Sequence, residues 1–445
     1  MKIIIAGAGD LGFHLAELLS YNNQDITLID NNPDILEHAA QHLDVLTILG
    51  DASSISILKE AEVSKARLLL AVTANETTNL VTAVLGRKMG AKNTLARVSN
   101  TEFVSEYSRE IFSELGIENI FSPNLLAAKE IHRLVRRCSF TDLFEFEGGK
   151  IILTGVTIGD DSPLAFHKLK ELGGETYQNL RVIAVQRGSQ TLIPHGDLLL
   201  RPNDHVYIVS LPGHVSRVEQ VTGAKKRDIK RVMIIGGSIL ALETARLLEE
   251  DYHVTVVEQN KDRCKELAAE LSNSLIIHGK PDNIDLLQQE GLSQMDAFIA
   301  LTPNSETNII ASLTAKHNGV FKTIAQVENK EYIRISQDIG VDTLINKKLV
   351  AANNIFRYVR KGKVEAITAM HGVDAEVIEF VVTKENRLTK KALKNLHFPK
   401  TATVAAVVRG EQGIIPNGDF IFQLNDKAIV FALPDAIEKV EQLFN

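Results

Sequence analysis

The stretch that decides the fold is "KIIIAGAGDLGFHLAELLSYNNQDITLID", residues 2 to 30. Ile3 to Ile5 form a short apolar run suited to a strand buried on both faces. Gly7, Gly9 and Gly12 follow as a G-x-G-x-x-G, and the apolar residues from Phe13 to Leu19 fall at helical intervals. Ile26 to Ile29 read as a second strand that ends at Asp30. The three glycines do different things. Gly7 makes the tight turn, Gly9 lets backbone approach a pyrophosphate, and Gly12 lets the helix pack closely. The helix start offers free N–H groups and the positive end of its dipole to phosphates. Asp30 stands 18 positions beyond Gly12, near the offset of a ribose-binding carboxylate. An acid there favours a free 2′-hydroxyl and repels a 2′-phosphate, so NAD(H) or plain adenosine nucleotides fit better than NADP(H). The stretch predicts a dinucleotide-binding βαβ unit. It leaves open whether the dinucleotide is a redox partner or a signal.

Outward from this stretch, the chain is written twice. A shift of 229 residues lays "RVMIIGGSILALETARLLEEDYHVTVVEQN" over the opening, with Gly236 on Gly7 and, after a one-residue deletion, Glu258 on Asp30. "LLLAVTANETTNLVTA" (68–83) matches "AFIALTPNSETNIIAS" (297–312), and "TLARVSNTEF" (94–103) matches "TIAQVENKEY" (323–332). Farther on, "RGSQTLIPHGDLLLRPNDHVYIVSLP" (187–212) aligns without gaps with "RGEQGIIPNGDFIFQLNDKAIVFALP" (409–434), identical at 11 of 26 positions. A two-domain module is therefore duplicated.

In each copy, alternating buried strands and amphipathic helices predict a parallel, doubly wound sheet, with ligands at the carboxyl ends of its strands. A helix with an apolar stripe (Leu125, Leu126, Ile131, Leu134, Val135) follows the first sheet, with its copy at 349–361. Then comes a short β-rich region with turn signals at "PHGD" (194–197) and "PNGD" (416–419). "GAKKRD" (223–228) reads as the linker between copies. The expected domains are 1–124, 140–224, 229–348 and 364–445.

Composition narrows the function classes. The chain has 445 residues, 44% hydrophobic and 24% charged, ordinary for globular protein. A formal net charge of −7 argues against nucleic acid as a main partner, which would need a basic face. Only Cys138 and Cys264 are present, without a C-x-x-C, which fits a reducing cytosol. No apolar run approaches the roughly 18 residues that span a bilayer, and the N-terminal run is too short for a signal peptide. A cytosolic or peripheral protein is expected.

The repeated "RG…IP-GD…ND…LP" element, together with the duplication, resembles the TrkA family, peripheral nucleotide-binding regulators of bacterial Trk potassium-uptake systems. The resemblance covers essentially the whole chain. It implies an RCK (regulator of potassium conductance) N-terminal Rossmann domain and its smaller α+β companion in each copy. It also implies NAD(H) as cofactor, with ATP or ADP as further candidates, and a TrkH-like membrane potassium transporter as partner. Self-association into a ring of eight RCK units, a homotetramer, and a place on the inner face of the cell membrane follow from the same resemblance. Carried over residue by residue, it builds the first site from Gly7, Ala8, Gly9, Asp10, Leu11, Gly12, Asp30, Asp51, Thr73, Ala74 and Arg97. For Asp51 and Thr73, ordinary turn and cap chemistry is the competing account. The second site would comprise Gly236, Gly237, Ser238, Ile239, Leu240, Glu258 and Thr302. There the pattern departs: Gly9 becomes Ser238, Gly12 becomes Ala241, Asp51 becomes Lys280 and Arg97 becomes Gln326. A different nucleotide, weaker binding or none are all open for that half.

A dehydrogenase needs a proton donor or acceptor and a substrate anchor, and neither Rossmann stretch is followed by such an arrangement. His38 and His42 have i, i+4 spacing on a polar helix face without a third ligand, so no metal is expected. "GGSIL" (236–240) lacks the closing glycine of a hydrolase elbow. An NAD-dependent oxidoreductase is the weaker reading and a potassium-efflux regulator a third. The helices with apolar stripes could carry nucleotide state into domain motion. They end in basic clusters, "HRLVRR" (132–137) and "FRYVRKGK" (356–363), which are either solvated helix ends or docking points for acidic loops and anionic headgroups.

Overall fold

The computed structural model describes residues 2–20, 24–172, 177, 179–188, 190–224, 227–329, 332, 339–359, 364–369 and 375–444. Lys225 and Lys226 of the linker and 360–363 of the second basic cluster lie outside the described residues. The chain divides into two compact units. The first is Met1–Lys129 with Asn346–Ile355, and the second is Glu130–Ile345 with Phe356–Asn445.

The first unit is built on a six-stranded parallel sheet, β1 (Lys2–Ala6), β2 (Asp25–Asp30), β3 (Leu46–Leu49), β4 (Leu68–Ala71), β5 (Asn93–Arg97) and β6 (Asn119–Phe121), in the order β3-β2-β1-β4-β5-β6. The register sets Ile3 beside Ile26 on one side and Leu68 on the other. Ile3, Ile4 and Ile5 are fully buried. Each contributes about 1.5–3 kcal/mol by leaving water, which is why the opening run becomes the central strand. Helices run between the strands and start on side-chain caps, Asn32 for Pro33–His42 and Asn75 for Glu76–Lys88. The strand order reverses between β1 and β4, and the glycine loop emerges there.

In the second unit, β12 (Arg231–Ile235), β13 (His253–Glu258), β14 (Leu275–His278), β15 (Ala297–Ala300), β16 (Lys322–Gln326) and β17 (Thr343–Ile345) repeat that order as β14-β13-β12-β15-β16-β17. The same unit holds two antiparallel sheets. The first comprises β7 (Asp142–Phe146), β8 (Ile151–Thr157), β9 (Leu180–Arg187), β10 (Gln190–Leu192) and β11 (His205–Ser210), ordered β10-β9-β11-β8-β7. The other comprises β18 (Val364–Ala369), β19 (Glu376–Val381), β20 (Ala402–Arg409), β21 (Gln412–Ile414) and β22 (Lys427–Ala432), in the matching order β18-β19-β22-β20-β21. Their apolar faces share one core: Ile151, Leu153, Tyr207 and Val209 pack with Val377, Ala406, Ile429 and Phe431. A five-stranded sheet has an apolar face to cover, and here each copy covers the other's. Arg181 stitches them, Nη1 donating to Val404 O at 2.9 Å and Nη2 to Pro416 O. Burial pulls the Arg181 guanidinium pKa down.

The repeated "RG…ND" element has a structural job in these sheets. Arg187 donates from Nε and Nη2 to the two oxygens of Asp204, both at 2.7 Å, and Arg409 does the same to Asp426 at 2.8 and 2.7 Å. Both aspartates are buried, and bidentate pairing satisfies them. Asn203 and Asn425, just before each, take φ of 66° and 68°, a left-handed turn that asparagine tolerates. No helix of the described residues is long and apolar enough to cross a membrane.

Candidate functional site

The first glycine loop runs from β1 into the helix Asp10–Ser20. Gly7 has φ +105°, and a Cβ there would stand 2.7 Å from Thr73 N, so the loop turns hard against the end of β4. A Cβ on Gly12 would meet Gly7 O at 1.8 Å. Gly9 differs from both, because a Cβ there would meet nothing within 4 Å. Gly9 and Asp10 are exposed, whereas Ala8, Leu11 and Gly12 are buried or nearly so. Having no side chain, Gly9 cannot cap the helix that follows it, so the first N–H groups keep their capacity for an outside acceptor.

Asp30 ends β2 beside this loop. Its Oδ2 accepts from Ala8 N at 2.7 Å and its Oδ1 from Asn32 N at 3.0 Å. The carboxylate is thereby held in one orientation next to the glycines. Thr73, at the end of β4, is tied by the side chain of Asn79, whose Oδ1 accepts from Thr73 N at 2.8 Å and Thr73 Oγ1 at 2.7 Å. The amide of Asn79 also donates to Arg97 O at 2.9 Å, so one residue clamps the carboxyl ends of β4 and β5. Sequence reading passed over Asn79. The signal was available: Asn308 occupies the same place in the repeat and makes the same bonds to Thr302 and Gln326.

Arg97 is half-buried at the end of β5, and its side chain has no hydrogen-bond or ion-pair partner among the described residues. Burial pulls its pKa down, the signature of a charge taken from water without a counter-charge. Asp51 is exposed and turned onto its own turn, accepting from Ser53 N and Ser53 Oγ, both at 2.8 Å, which lowers its pKa. Ala74 is exposed beside Thr73. Asp10 carries a further contact that sequence did not suggest: Lys348 Nζ lies 2.6 Å from its Oδ2, within the same unit.

The second loop keeps the turn and loses the opening. Gly236 has φ +99° and presses on Leu301 and Thr302 as Gly7 does on Thr73. Ser238 then caps the helix Ile239–Leu248, its Oγ accepting from Ala241 N at 3.2 Å and donating to Leu301 O at 3.1 Å. Arg263 lies on the loop, with Nε donating to Gly237 O at 2.6 Å and Nη1 2.7 Å from Glu266. A Cβ on Gly237 would meet Glu258 Oε2 at 2.7 Å and Arg263 Cγ at 2.9 Å. Glu258 is buried and accepts from Asn260 N at 2.6 Å. Leu240 is buried and Ile239 exposed. Gln326 is bonded to Glu328 at 2.8 Å, and Lys280 is exposed.

His38 and His42 stack with ring centroids 4.3 Å apart on an exposed face. Among the described residues no group of three or more His, Cys, Asp or Glu could hold a metal ion. Arg136 and Arg137 are exposed, while Ile131, Leu134 and Val135 of the apolar stripe are buried.

Comparisons with known proteins agree with this double build. Residues 3–123 and 232–347 match the TrkA-N domain, and 153–223 and 377–445 the TrkA-C domain. The Trk system potassium uptake protein TrkA homolog of Archaeoglobus fulgidus is 34% identical over 447 residues, covering 100% of both chains. TrkA homolog 1 of Methanosarcina mazei is 32% identical over 455 residues, again covering 100% of both. Among solved structures, the GsuK channel bound to NAD covers 100% of this chain with 78% of its own, at a TM-score of 0.61 and 15% identity, a likeness of fold. Matched twice by both domain models and end to end by these relatives, the chain belongs to the TrkA family of Trk-system potassium uptake proteins.

Proposed function

We propose that this chain is a nucleotide-sensing regulatory subunit that gates a membrane potassium transporter and holds NAD(H) at the first glycine loop. The observation that carries the reading is the open first loop. Gly9 faces free space and gives the helix behind it no capping side chain, and Arg97, at the end of β5 two strands along, has a guanidinium with no partner among the described residues. Such a set fits an anionic dinucleotide, with backbone N–H groups of Asp10 to Gly12 for the pyrophosphate and Asp30 for a ribose. Bound dinucleotide supplies a redox signal, since oxidised and reduced nicotinamide differ by one charge. The GsuK channel, a fold neighbour solved with NAD, supports this choice of ligand by analogy.

The partner in this reading is the membrane subunit of the Trk system, TrkH-like, met on the cytoplasmic face. Four chains form the ring. The Arg136 and Arg137 pair is the contact offered to acidic cytoplasmic loops. ATP and ADP are the competing ligands. The chain itself works as a sensor and carries out no turnover.

Calorimetric titration of the purified full chain with NADH, NAD, ATP and ADP tests the reading. One NADH site per chain that weakens in Asp30→Ala is expected. Absence of nucleotide binding would remove the sensor assignment. Steady oxidation of bound NADH by a carbonyl compound would place the chain among oxidoreductases instead.

A further inference from the structure

We infer that Lys348, carried by the helix Lys347–Val359 that continues from the second parallel sheet, is a phosphate-contacting residue of the first nucleotide site. The inference rests on the proposed reading of that site. Asp10 is the first residue of the helix at whose start the phosphates are expected, and its carboxylate is exposed. Lys348 Nζ lies 2.6 Å from it, across 338 residues of sequence, so the second half of the chain brings an ammonium to the mouth of the first loop. The lysine is fixed from behind. Asn346 Oδ1 accepts from Lys348 N at 3.0 Å and Leu349 N at 3.1 Å, capping the helix, while Leu349, Ala351 and Ala352 are buried.

The repeat shows that this pairing is particular to the first site. Without gaps, "NKKLVAA" (346–352) aligns with "SPNLLAA" (122–128), so the counterpart of Lys348 is Asn124. The counterpart of Asp10 is Ile239. Both charges are missing together from the other combination. The first site, with the open loop, has an aspartate at the phosphate end and a lysine to answer it.

An aspartate beside an incoming pyrophosphate repels it. An exposed ion pair is a weak tie, so exchanging the carboxylate for a phosphate bearing more charge costs little. Lys348 thus serves two states: it neutralises Asp10 when the site is empty and turns to phosphate when a nucleotide arrives. The exchange makes the helix of the second half sense the ligand of the first.

The test uses the full chain, with NADH, ADP and adenosine as probes and calorimetry at two salt concentrations. Lys348→Ala should weaken NADH and ADP by about tenfold, flatten their salt dependence and leave adenosine unchanged. Lys348→Arg should restore most of the loss. Asp10→Asn, which keeps the shape and removes the competing charge, should tighten NADH several-fold. Unchanged NADH affinity in Lys348→Ala, or an equal loss for adenosine, overturns the inference. So does weaker NADH binding in Asp10→Asn. If Asp30→Ala weakens NADH while Lys348→Ala does not, the site stands and the lysine falls. If the unaltered chain binds none of the probes, both fall together.

Discussion

The two glycine loops began as copies, and they now differ in what they leave open at the helix start. Both keep the hard turn, at Gly7 with φ +105° and at Gly236 with φ +99°. Beyond it they part. In the first loop Gly9 faces open space and the helix start is left for an outside acceptor. In the second, Ser238 supplies that acceptor from within the chain, and Arg263 has its guanidinium bonded to Gly237 O. A serine cap satisfies N–H groups of the kind a pyrophosphate would use, so the second loop gains helix stability and leaves fewer donors for an outside anion. The flanks follow the same split. Arg97 is a cation without a partner among the described residues, while its counterpart Gln326 is neutral and bonded to Glu328. Duplication kept the fold, whose cost of change is high, and let a few loop positions diverge.

The largest effect is expected where the first loop tolerates nothing. In Gly12→Ala the new Cβ would fall 1.8 Å from Gly7 O, so backbone must move. Overpacking of this kind costs about 1–3 kcal/mol of stability, and NADH binding should drop below detection. Ala241 holds this position in the second copy, buried in its helix, so Ala241→Gly should cost only about 1 kcal/mol, through helix propensity, and leave NADH binding in place. Thermal melts and titration of both variants check the pair. Similar losses in the two would mean that the loops are equally tight.

Asp30→Ala comes next. Removing charge-assisted hydrogen bonds to a ribose should weaken NADH by about 1.5–3 kcal/mol. In the second copy, Glu258→Ala should change NADH affinity far less, because that carboxylate is buried under the loop and bonded to Asn260 N. Equal effects from the two variants would remove the asymmetry. A smaller change is expected from Arg97→Gln, which gives the first site the residue of the second. Loss of one phosphate contact of this kind is worth about tenfold in affinity. The substitution also removes a half-buried charge that has no partner among the described residues, so thermal stability should hold or rise. NADH affinity that is unchanged alongside higher stability would mark Arg97 as a bystander.

Much of this was legible in the sequence because it is local. Ile3 to Ile5, the glycine triad and Asp30 lie within one βαβ unit, and spacing fixes them. The repeat doubled every such signal and pointed to the same sheet in both halves. What sequence could not carry was who covers whom. The apolar runs of β8 (IILTGVT) and β22 (KAIVFA) mark buried strands, but nothing in them says that the two sheets share one core. Arg263 reads as an ordinary helix residue until its guanidinium is seen on Gly237 O, 26 positions away. Lys348 reads as one of two lysines at a helix start, and only the fold sets it against Asp10. The "RG…ND" element was legible as a family mark, but only the fold shows its job, since Arg187 and Asp204 hold a turn together.

The smallest effect is a gain, expected from Ser238→Gly combined with Arg263→Ala. The serine variant removes the internal cap from Ala241 N, and the alanine variant frees Gly237 O and clears the Arg263 side chain that lies against Gly237. Loss of a serine cap costs only a few tenths of a kcal/mol when glycine replaces it, so the helix should survive. Glu258 remains at the ribose position, but Lys280 and Gln326 do not restore Asp51 and Arg97. The doubly altered chain should therefore bind a second NADH weakly, on the order of ten- to a hundredfold below the first, because one phosphate contact and one polar edge are still missing. Titration would then show two unequal sites per chain where the unaltered protein shows one. Two equal sites in the unaltered protein would mean that the cap and the arginine yield to ligand without cost. No second site in the variant would place the block elsewhere, at Ala241 or at the buried Glu258.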